Sequence, residues 1–564
     1  LYVYQTTSRY RDVDHANLTL EEMKQTTCDM ELLDTQLTEM KELAAEAEAA
    51  GEAKDPERVK ELFEETLDEV EKLSTCYSLS QITYYQNIFD EENQEIQAEL
   101  LDDVMDYGDR LNVAIRELCK SPYQNTMTEL MNAEQVEAYL EYEEMTDEEK
   151  ELTAKENSLE QEYEQLSSEE FYYEYDGEEW DLNRLNMEAD EMDHDAVVEI
   201  FQGISKQRND AVGEVFVELV DVRNEIAKLN GYDNYAEYAY DAVYVRDYTL
   251  DETRDLLKEI RKHVVPVMAD MKDVLNDTDY MRLYSEGQGI ESTSIIEQIG
   301  PYLEEIDPEL KDTQEHFLKY RLYDMDTSQN KANTAFTMRL SYFKDGFIYG
   351  QMYDNYMDYY NVIHEFGHYN NVYRSADTFF ESSNNIDVSE IHSQGMQMLF
   401  YDYYDELLGE DIGDIYAFYD VYSMADNAIS TALVSEFEIA AYENPDMTLE
   451  ELNKLYLQLS RRYGMQYDSK IKELYTWSEV PHIFTSPCYY FSYLTSAFSS
   501  LDILTMAEED RHEAVETYMT LTTIPGYVPY CSAVEYAGLR DIFEDGVAQD
   551  IIEETASILG VKGY

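Results

Sequence analysis

The chain has 564 residues, and its 123 acidic residues against 40 basic ones give a formal net charge of −83. A surface this negative repels nucleic acid and anionic membranes, so we expect neither as a partner. Hydrophobic residues make up 44% of the chain, enough for large cores, and no run approaches the ~18 consecutive apolar residues that a membrane span needs. These numbers predict a soluble, globular and very acidic protein.

The five cysteines are few and odd in number, and none forms a Cys-x-x-Cys pair. The sequence therefore predicts neither a disulfide framework nor a thiolate zinc site, and we interpret the cysteines as small buried hydrophobic residues. Position 1 is leucine, and no charged segment with an apolar core follows it. This start predicts a mature or trimmed chain from which any targeting segment is missing.

In chain order, the first two hundred residues show the periodicity of amphipathic helices. After Asp55-Pro56, a capping residue and a first-turn proline, apolar residues recur every three or four positions from Val59 to Leu73. Similar patterns predict helices from about 20 to 50, 80 to 119 and 126 to 166. The acidic, tyrosine-rich segment 171–180 contains a glycine, and we interpret it as a connection between two regions.

From about residue 210 the helical patterns continue, with one interruption. The short segments 334–341 and 346–351 have β-type composition, lie four residues apart and predict a β-hairpin. They carry the only convincing strand signal in the sequence. The predicted fold class is therefore mainly α, with a small hairpin or sheet just before the residues that carry chemistry.

The most specific local feature follows this hairpin, where residues 364–368 read His-Glu-Phe-Gly-His. On a helix, His364 and His368 lie one turn apart on the same face, so both imidazoles can reach one metal ion. Glu365, one step round the helix, then points at the water molecule on that ion. The spacing predicts a zinc site, and two histidines on an ordinary helix are the alternative.

A zinc site of this type needs a third protein ligand. Glu390, which lies 22 residues after His368 at the start of another predicted helix, can supply it. The spacing alone leaves alternatives open. Asp387-x-x-Glu390 also fits a capping box, in which the glutamate only satisfies a backbone N–H, and His392 is a rival ligand.

Taken together, the motif at 364–368, the Glu390-Ile-His-Ser segment and the stretch 481–493 resemble the thimet oligopeptidase and oligoendopeptidase F family of zinc peptidases. Similar segments are 323–332, 346–348, 537–539 and, more weakly, 226–235. The resemblance covers about 220–564, whereas the N-terminal region matches only in being helical. We therefore divide the chain into an N-terminal helical region, 1–200, and a catalytic region, 201–564.

The resemblance implies one zinc ion held by His364, His368 and Glu390, with Glu365 as the general base. Zinc lowers the pKa of a bound water toward ~7 and polarises the scissile carbonyl, and the glutamate passes the proton to the leaving amine. These roles fit the chemistry of the four side chains.

The resemblance also implies that His482 and the tyrosines of the Tyr490-x-x-Tyr493 pair face the scissile carbonyl. Neutral O–H and N–H donors at such positions stabilise the developing oxyanion. Because the chain has 52 tyrosines, ordinary structural roles for Tyr489, Tyr490 and Tyr493 stay open at this point.

Three residues or segments depart from the family's pattern. Gln397 stands where relatives usually place a glutamate, so a charge that orients a ligand histidine is lost. Cys488 stands where an aromatic residue is common, and 524–526 (Ile-Pro-Gly) replaces a more glycine-rich turn. None of these departures removes a ligand or the base, so we expect an active enzyme.

The expected function is zinc-dependent hydrolysis of internal bonds in short, unfolded oligopeptides. The resemblance further implies two helical lobes with the site deep in a channel between them. We expect the peptide to add as a strand beside 346–351, and the negative field to favour basic peptides.

Two alternatives remain at this stage. A zinc carboxypeptidase or peptidyl-dipeptidase would need a cation for the substrate's C-terminal carboxylate, for which Arg374 and Arg540 are candidates. The other alternative is a non-catalytic peptide-binding protein that keeps the motif as a relic. A secreted or cell-surface bacterial location is favoured over a cytoplasmic one, and the sequence does not indicate an oligomeric state.

Overall fold

The computed structural model describes residues 13–131, 133–141, 145–189, 192–274, 277–287, 289–375 and 385–564. These residues are mainly helical, and their five short strands form two small sheets. The predicted fold class is therefore confirmed. Within these ranges, none of the helices combines the length and the apolar character that crossing a membrane requires.

Among the described residues, seven helices precede the first strand. They are α1 (Leu20–Met23), α2 (Met30–Ala50), α3 (Pro56–Gln86), α4 (Glu91–Lys120), α5 (Gln124–Leu130), α6 (Ala133–Glu141) and α7 (Asp147–Ser167). Helix α3 begins where the sequence predicts it, because the Asp55 side chain accepts a hydrogen bond from the N–H of Arg58 and Pro56 occupies the first turn. Val59, Leu62 and the other periodic residues form its buried face.

Helices α2 to α6 share a hydrophobic core of their own, in which Leu33, Leu62 and Ile115 are fully buried. Helices α1 and α7 instead contribute Leu20 and Tyr163 to the large core that continues to the C-terminal helix. The predicted channel between two lobes stays a prediction.

The segment 171–180 forms a β-hairpin of β1 (Tyr173–Tyr175) and β2 (Glu178–Trp180), which pair antiparallel. Its two turn residues, Asp176 and Gly177, have φ of 52° and 79°, as the tight turns of two-residue hairpins require. These two strands were not predicted, whereas the interpretation of the segment as a connection between two regions stays a prediction. An Asp-Gly dipeptide between aromatic residues was the signal that could have revealed the hairpin.

Between this hairpin and the second sheet, the part of the chain that the structure describes forms nine α-helices. They are α8 (Leu182–Glu188), α9 (His194–Leu229), α10 (Tyr235–Tyr238), α11 (Leu250–Glu259), α12 (Val265–Val274), α13 (Asp277–Ser285), α14 (Ser292–Gln298), α15 (Gly300–Ile306) and α16 (Pro308–Tyr320). Helix α9 runs through residue 200, and the division of the chain at that residue stays a prediction.

The second sheet contains the predicted hairpin. Strands β4 (Ala335–Leu340) and β5 (Asp345–Gly350) pair antiparallel, with Thr337 opposite Ile348. A further short strand, β3 (Tyr323–Asp324), pairs parallel with the other side of β5, so the strand order is β3-β5-β4. Strand β5 is therefore the central strand, and β4 is an outer one.

After the second sheet, ten α-helices follow in the described ranges 351–375 and 385–564. They are α17 (Asp358–Arg374), α18 (Ile386–Phe400), α19 (Tyr404–Leu408), α20 (Glu410–Glu443), α21 (Leu449–Arg462), α22 (His482–Thr485), α23 (Phe491–Glu509), α24 (Arg511–Leu521), α25 (Tyr530–Ala537) and α26 (Val547–Ile558). Helix α17 packs against β4, β5 and α18, and α18 packs against α23. The hairpin, these three helices and the segment from α22 to the start of α23 carry the candidate site.

Candidate metal centre and active site

The helix that carries the His-Glu-Phe-Gly-His motif begins at a fully buried carboxylate. Asp358 accepts hydrogen bonds from the N–H groups of Tyr353 and Asp354 at 2.9 and 2.7 Å, and from the Ser292 hydroxyl at 2.7 Å. These bonds fix the chain that leads from β5 into α17. They also fix where the helix begins, and therefore which way the side chains of His364 and His368 face.

The structure brings the three predicted metal ligands together. The Nε2 atoms of His364 and His368 each lie 3.3 Å from Oε2 of Glu390. The potential ligand atoms of the three residues all lie within 4.8 Å of one another, and no other described residues form such a cluster. The two imidazole planes meet at 80°, so both rings can direct a nitrogen at one point.

The start of α18 decides between the alternatives for Glu390. The N-cap is Asn385, whose side chain accepts a hydrogen bond from the Asp387 N–H at 3.1 Å. The capping-box interpretation of Asp387 and Glu390 is therefore wrong, and the Glu390 carboxylate faces the two histidines instead. His392 is buried outside the cluster, so it is not the third member.

Helices α17 and α18 approach each other closely at Gly367. A Cβ atom at this position would lie 2.3 Å from the carbonyl oxygen of His392 and 2.7 Å from Cα of Ser393. Both atoms belong to the backbone of α18, so no side chain larger than hydrogen fits between the helices. The glycine of the motif thereby allows Glu390 to reach the histidines.

A chain of hydrogen bonds behind His364 assigns its proton. Asp420 and Gln397 are fully buried, and Gln397 Nε2–H donates to Asp420 Oδ1 at 2.6 Å. An ionised carboxylate can only accept, so the amide oxygen of Gln397 must face His364, where it lies 2.9 Å from Nδ1. Nδ1 therefore carries a proton, which leaves Nε2 as the nitrogen that faces the cluster and would bind a metal ion on giving up its own proton.

Asp420 thus supplies, one hydrogen bond further away, the charge that Gln397 lacks. Its second oxygen accepts a hydrogen bond from the Tyr404 hydroxyl at 2.8 Å. Burial raises the pKa of Asp420 to about 6. Because this value still lies below neutral pH, the carboxylate is mainly ionised there. The sequence did not reveal this residue, because Asp420 lies on α20 and meets Gln397 only through helix packing.

The cluster is electrostatically suited to a cation. Burial lowers the pKa of His364, but the hydrogen bond and charge of Glu390 outweigh this effect and raise it to about 9. Burial alone would raise the pKa of Glu390, yet His368 and His364 hold it well below its usual range. The site therefore stabilises positive charge between one carboxylate and two imidazoles.

Glu365, the predicted base, is buried and faces the hairpin. The Thr337 hydroxyl on β4 lies 2.8 Å from Glu365 Oε2 and 2.9 Å from the Glu365 carbonyl oxygen, so it donates its one proton to either of these two acceptors. Only 5% of Glu365 is exposed. The outer strand thereby holds the carboxylate in place, a role for Thr337 that the sequence pattern did not indicate.

His482 lies among three tyrosines. Its Nε2 is 3.4 Å from the Tyr493 hydroxyl, and its ring centroid lies 5.6, 5.2 and 5.8 Å from the rings of Tyr489, Tyr490 and Tyr493. Burial and then the charge of Glu390 raise the pKa of Tyr489, and burial together with Tyr489 and Glu390 raises that of Tyr493. For Tyr490 the corresponding charge is that of Glu438. The charge of Glu390 thus acts on the pKa of Tyr489 and Tyr493 but not measurably on that of Tyr490, so Tyr489 joins the candidates.

A buried ion pair joins this tyrosine segment to the helix of Glu390. Arg246 Nε–H donates to Asp387 Oδ2 at 3.1 Å, and its Nη2 donates to the carbonyl of Cys488 at 3.1 Å. The Ser492 hydroxyl donates to the other oxygen of Asp387 at 2.6 Å. The two halves of the candidate site are thus held in one network.

The structure resembles solved structures over nearly its whole length. The alignment with the structure of PZ peptidase A with an inhibitor covers 95% of this chain and 99% of that one, at 22% identity and a TM-score of 0.75. A Bacillus anthracis str. Ames protein, provisionally assigned as oligoendopeptidase F, aligns with 99% of both chains at 22% identity and a TM-score of 0.69. Oligoendopeptidase-F from Enterococcus faecium aligns with 93% of this chain and 97% of its own at 14% identity and a TM-score of 0.56.

The chain therefore has the mainly α fold of the oligoendopeptidase F and PZ peptidase structures, as the resemblance in sequence predicted. No protein-family model and no curated protein matches it.

Proposed function

We propose that this chain is a zinc-dependent endopeptidase that hydrolyses internal bonds of short, unfolded oligopeptides. The observation that carries the proposal is the cluster of His364, His368 and Glu390 beside the buried carboxylate of Glu365. The fold, which is shared with structures named as peptidases, supports it.

The donor set fits zinc. Two imidazole nitrogens and one carboxylate oxygen are the ligands of many hydrolytic zinc sites, which keep a further position open. The hydrogen bond at Nδ1 of His364 also fits, since it leaves Nε2, which faces Glu390, as the nitrogen that would bind the metal on losing its proton. When bound, zinc supplies a Lewis acid that activates water and polarises a carbonyl.

Glu365 is proposed to take the proton of the attacking water and to deliver it to the leaving amine. Its contact with Thr337 holds one carboxylate oxygen, so the other is available for the proton. Burial of the side chain excludes bulk water from competing for that oxygen.

Tyr489, Tyr493 and His482 are proposed to stabilise the oxyanion. Burial raises the pKa of both tyrosines, so their hydroxyls stay protonated and can donate hydrogen bonds at neutral pH. Burial lowers the pKa of His482, which keeps the ring neutral with one N–H donor. Tyr490 stays a candidate on the strength of the family resemblance.

The expected binding of the substrate beside 346–351 needs a correction. Strand β5 is paired with β4 along its length and with β3 at Ile348 and Tyr349, so it has no continuous free edge for a substrate strand. The N–H of Gln351 donates a hydrogen bond to the carbonyl of Thr334. Because every second residue of an antiparallel strand bonds the same neighbour, the N–H and C=O groups of Ala335, Thr337 and Arg339 point away from β5. We propose that the peptide adds as a strand to this outer edge of β4, which would give broad sequence tolerance.

The net charge of −83 supports a preference for basic peptides. At low salt, kcat/KM for a lysine-rich peptide should exceed that for a glutamate-rich peptide of the same length, and the ratio should shrink as salt is added. Equal values at low salt would contradict this preference.

The structure gives no support to a carboxypeptidase. Arg374 bonds Glu309 and Asn370, and Arg540 bonds Asp502 and Glu554, so both candidate arginines already have partners within the chain. An endopeptidase needs no such cation, which is why it is the function we propose.

The test is cleavage of an internally quenched, C-terminally amidated peptide of about ten residues. The wild-type chain should cleave it, a chelator should abolish cleavage and zinc should restore it. Glu365→Gln should bind zinc without cleaving, because the amide oxygen can still accept from Thr337 but cannot take a proton. Cleavage of the free-acid peptide alone would indicate a carboxypeptidase, and zinc binding without any cleavage would indicate a relic binding protein.

A further inference from the structure

Two cysteines that are far apart in sequence meet at the junction of α2 and α3. Cys28 immediately precedes Asp29, the N-cap of α2, and Cys76 lies on α3. Their sulfur atoms are 2.7 Å apart although 48 positions separate them in the chain. Movement of less than about 1 Å would bring them to the S–S bond length of about 2.05 Å.

The surroundings favour reaction between these two thiols. Both side chains are half-buried, so a small molecule can reach them from solvent. The S–H of Cys28 donates to Cys76, and this hydrogen bond lowers the pKa of Cys76, with the Lys72 ammonium as a further cause. Cys76 is therefore the better thiolate, and Cys28 lies next to it to resolve a mixed disulfide.

We propose that Cys28 and Cys76 form a reversible disulfide under oxidising conditions. In exchange with a small-molecule disulfide such as oxidised glutathione, the Cys76 thiolate attacks one sulfur and releases one thiol. The Cys28 thiolate then attacks Sγ of Cys76 and releases the second thiol. Two protein thiols are oxidised, one small disulfide is reduced to two thiols, and both protons leave with these products.

The disulfide would link the segment before α2 to α3, the helix that packs against strand β4. Next to Cys76, the Thr75 hydroxyl accepts a hydrogen bond from the N–H of Tyr342 in the β4–β5 turn, at 3.1 Å. Closing a loop of 48 positions restricts the unfolded chain, and for a protein of this size we expect Tm to rise by about 3 °C. This pair could not be predicted from the sequence, because the odd number of cysteines and their spacing fit no disulfide framework.

The test starts from the reduced full-length protein, incubated with oxidised glutathione at pH 8. The count of free thiols should fall from five to three, and the digest should contain one peptide pair joined through Cys28 and Cys76. Dithiothreitol should restore five thiols and lower Tm to the starting value.

Three variants provide controls. Cys28→Ser and Cys76→Ser should each abolish the cross-link and the shift in Tm, whereas Cys531→Ser, which removes another half-buried thiol, should keep both. Five thiols after oxidation, a glutathione adduct without the cross-link, or a cross-link between other cysteines would overturn the proposal. The wild-type peptide map decides even where a serine variant fails to fold.

Discussion

Replacing Gly367 by alanine perturbs the contact on which the metal-ligand cluster depends. The added Cβ would lie 2.3 Å from the His392 carbonyl oxygen, against about 3.3 Å for an ordinary carbon–oxygen contact. The obstacle is backbone, which no rotamer change can relieve. Helices α17 and α18 must therefore separate by about 1 Å at this point, or one of them must distort.

The size of the effect follows from two terms. Overpacking at a buried helix contact costs about 1–3 kcal/mol of unfolding free energy. The same displacement moves Glu390 relative to His364 and His368, whereas metal sites tolerate about 0.2 Å in their ligand distances. We therefore expect Gly367→Ala to lose about 2 kcal/mol of stability without metal and to bind zinc at least about 100-fold more weakly.

The assay combines urea unfolding of the metal-free protein with zinc competition against a chromophoric chelator. The matched control is Gly108→Ala in α4, where nothing lies within 4 Å of the added carbon. There the change from glycine to alanine should stabilise the protein by about 0.5–1 kcal/mol and leave zinc affinity unchanged. A Gly367→Ala protein with wild-type stability and zinc affinity would refute the reasoning.

Three further predictions concern groups around the site. Burial raises the pKa of Glu438 from 4.5 to about 7, so the folded chain retains a proton that the unfolded chain has lost. This group should lower stability by about 3 kcal/mol as pH rises from about 4.5 to 7, and in urea titrations Glu438→Gln should reduce the fall by that amount while the contribution of Asp420 stays. Asp420→Asn should weaken zinc binding about tenfold, because the amide no longer fixes the orientation of Gln397; unchanged affinity would contradict the proton assignment. Thr337→Val should lower kcat about tenfold with stability within about 1 kcal/mol of wild type. A large loss of stability together with the loss of kcat would indicate a structural role for Thr337 instead.

Local signals in the sequence were enough for much of the architecture. The start of α3 follows from Asp55 and Pro56, and the β4–β5 hairpin follows from composition and turn length, because both depend on neighbours in the chain. The spacing of His364 and His368 likewise places both rings on one helix face. Such features are fixed within a few residues, so a single sequence can reveal them.

Contacts between distant segments could not be predicted in this way. The hydrogen bond from Gln397 to Asp420 depends on how α18 packs on α20, and the bond from Thr337 to Glu365 depends on how β4 lies against α17. Strand β3 is only two residues long and pairs with β5 across the chain, so it has no periodicity to detect. The Asp-Gly turn of the first hairpin, by contrast, was a local signal that was overlooked.

The central claim is that His364, His368 and Glu390 hold one zinc ion on which peptide hydrolysis depends. The most direct measurement is a zinc titration of the metal-free chain in which bound metal and cleavage of the amidated peptide are followed together. We predict that activity rises in proportion to bound zinc and stops at one ion per chain, and that His368→Ala neither binds zinc at this site nor cleaves. Full cleavage by the metal-free protein, or a wild-type chain that binds no zinc, would contradict the account.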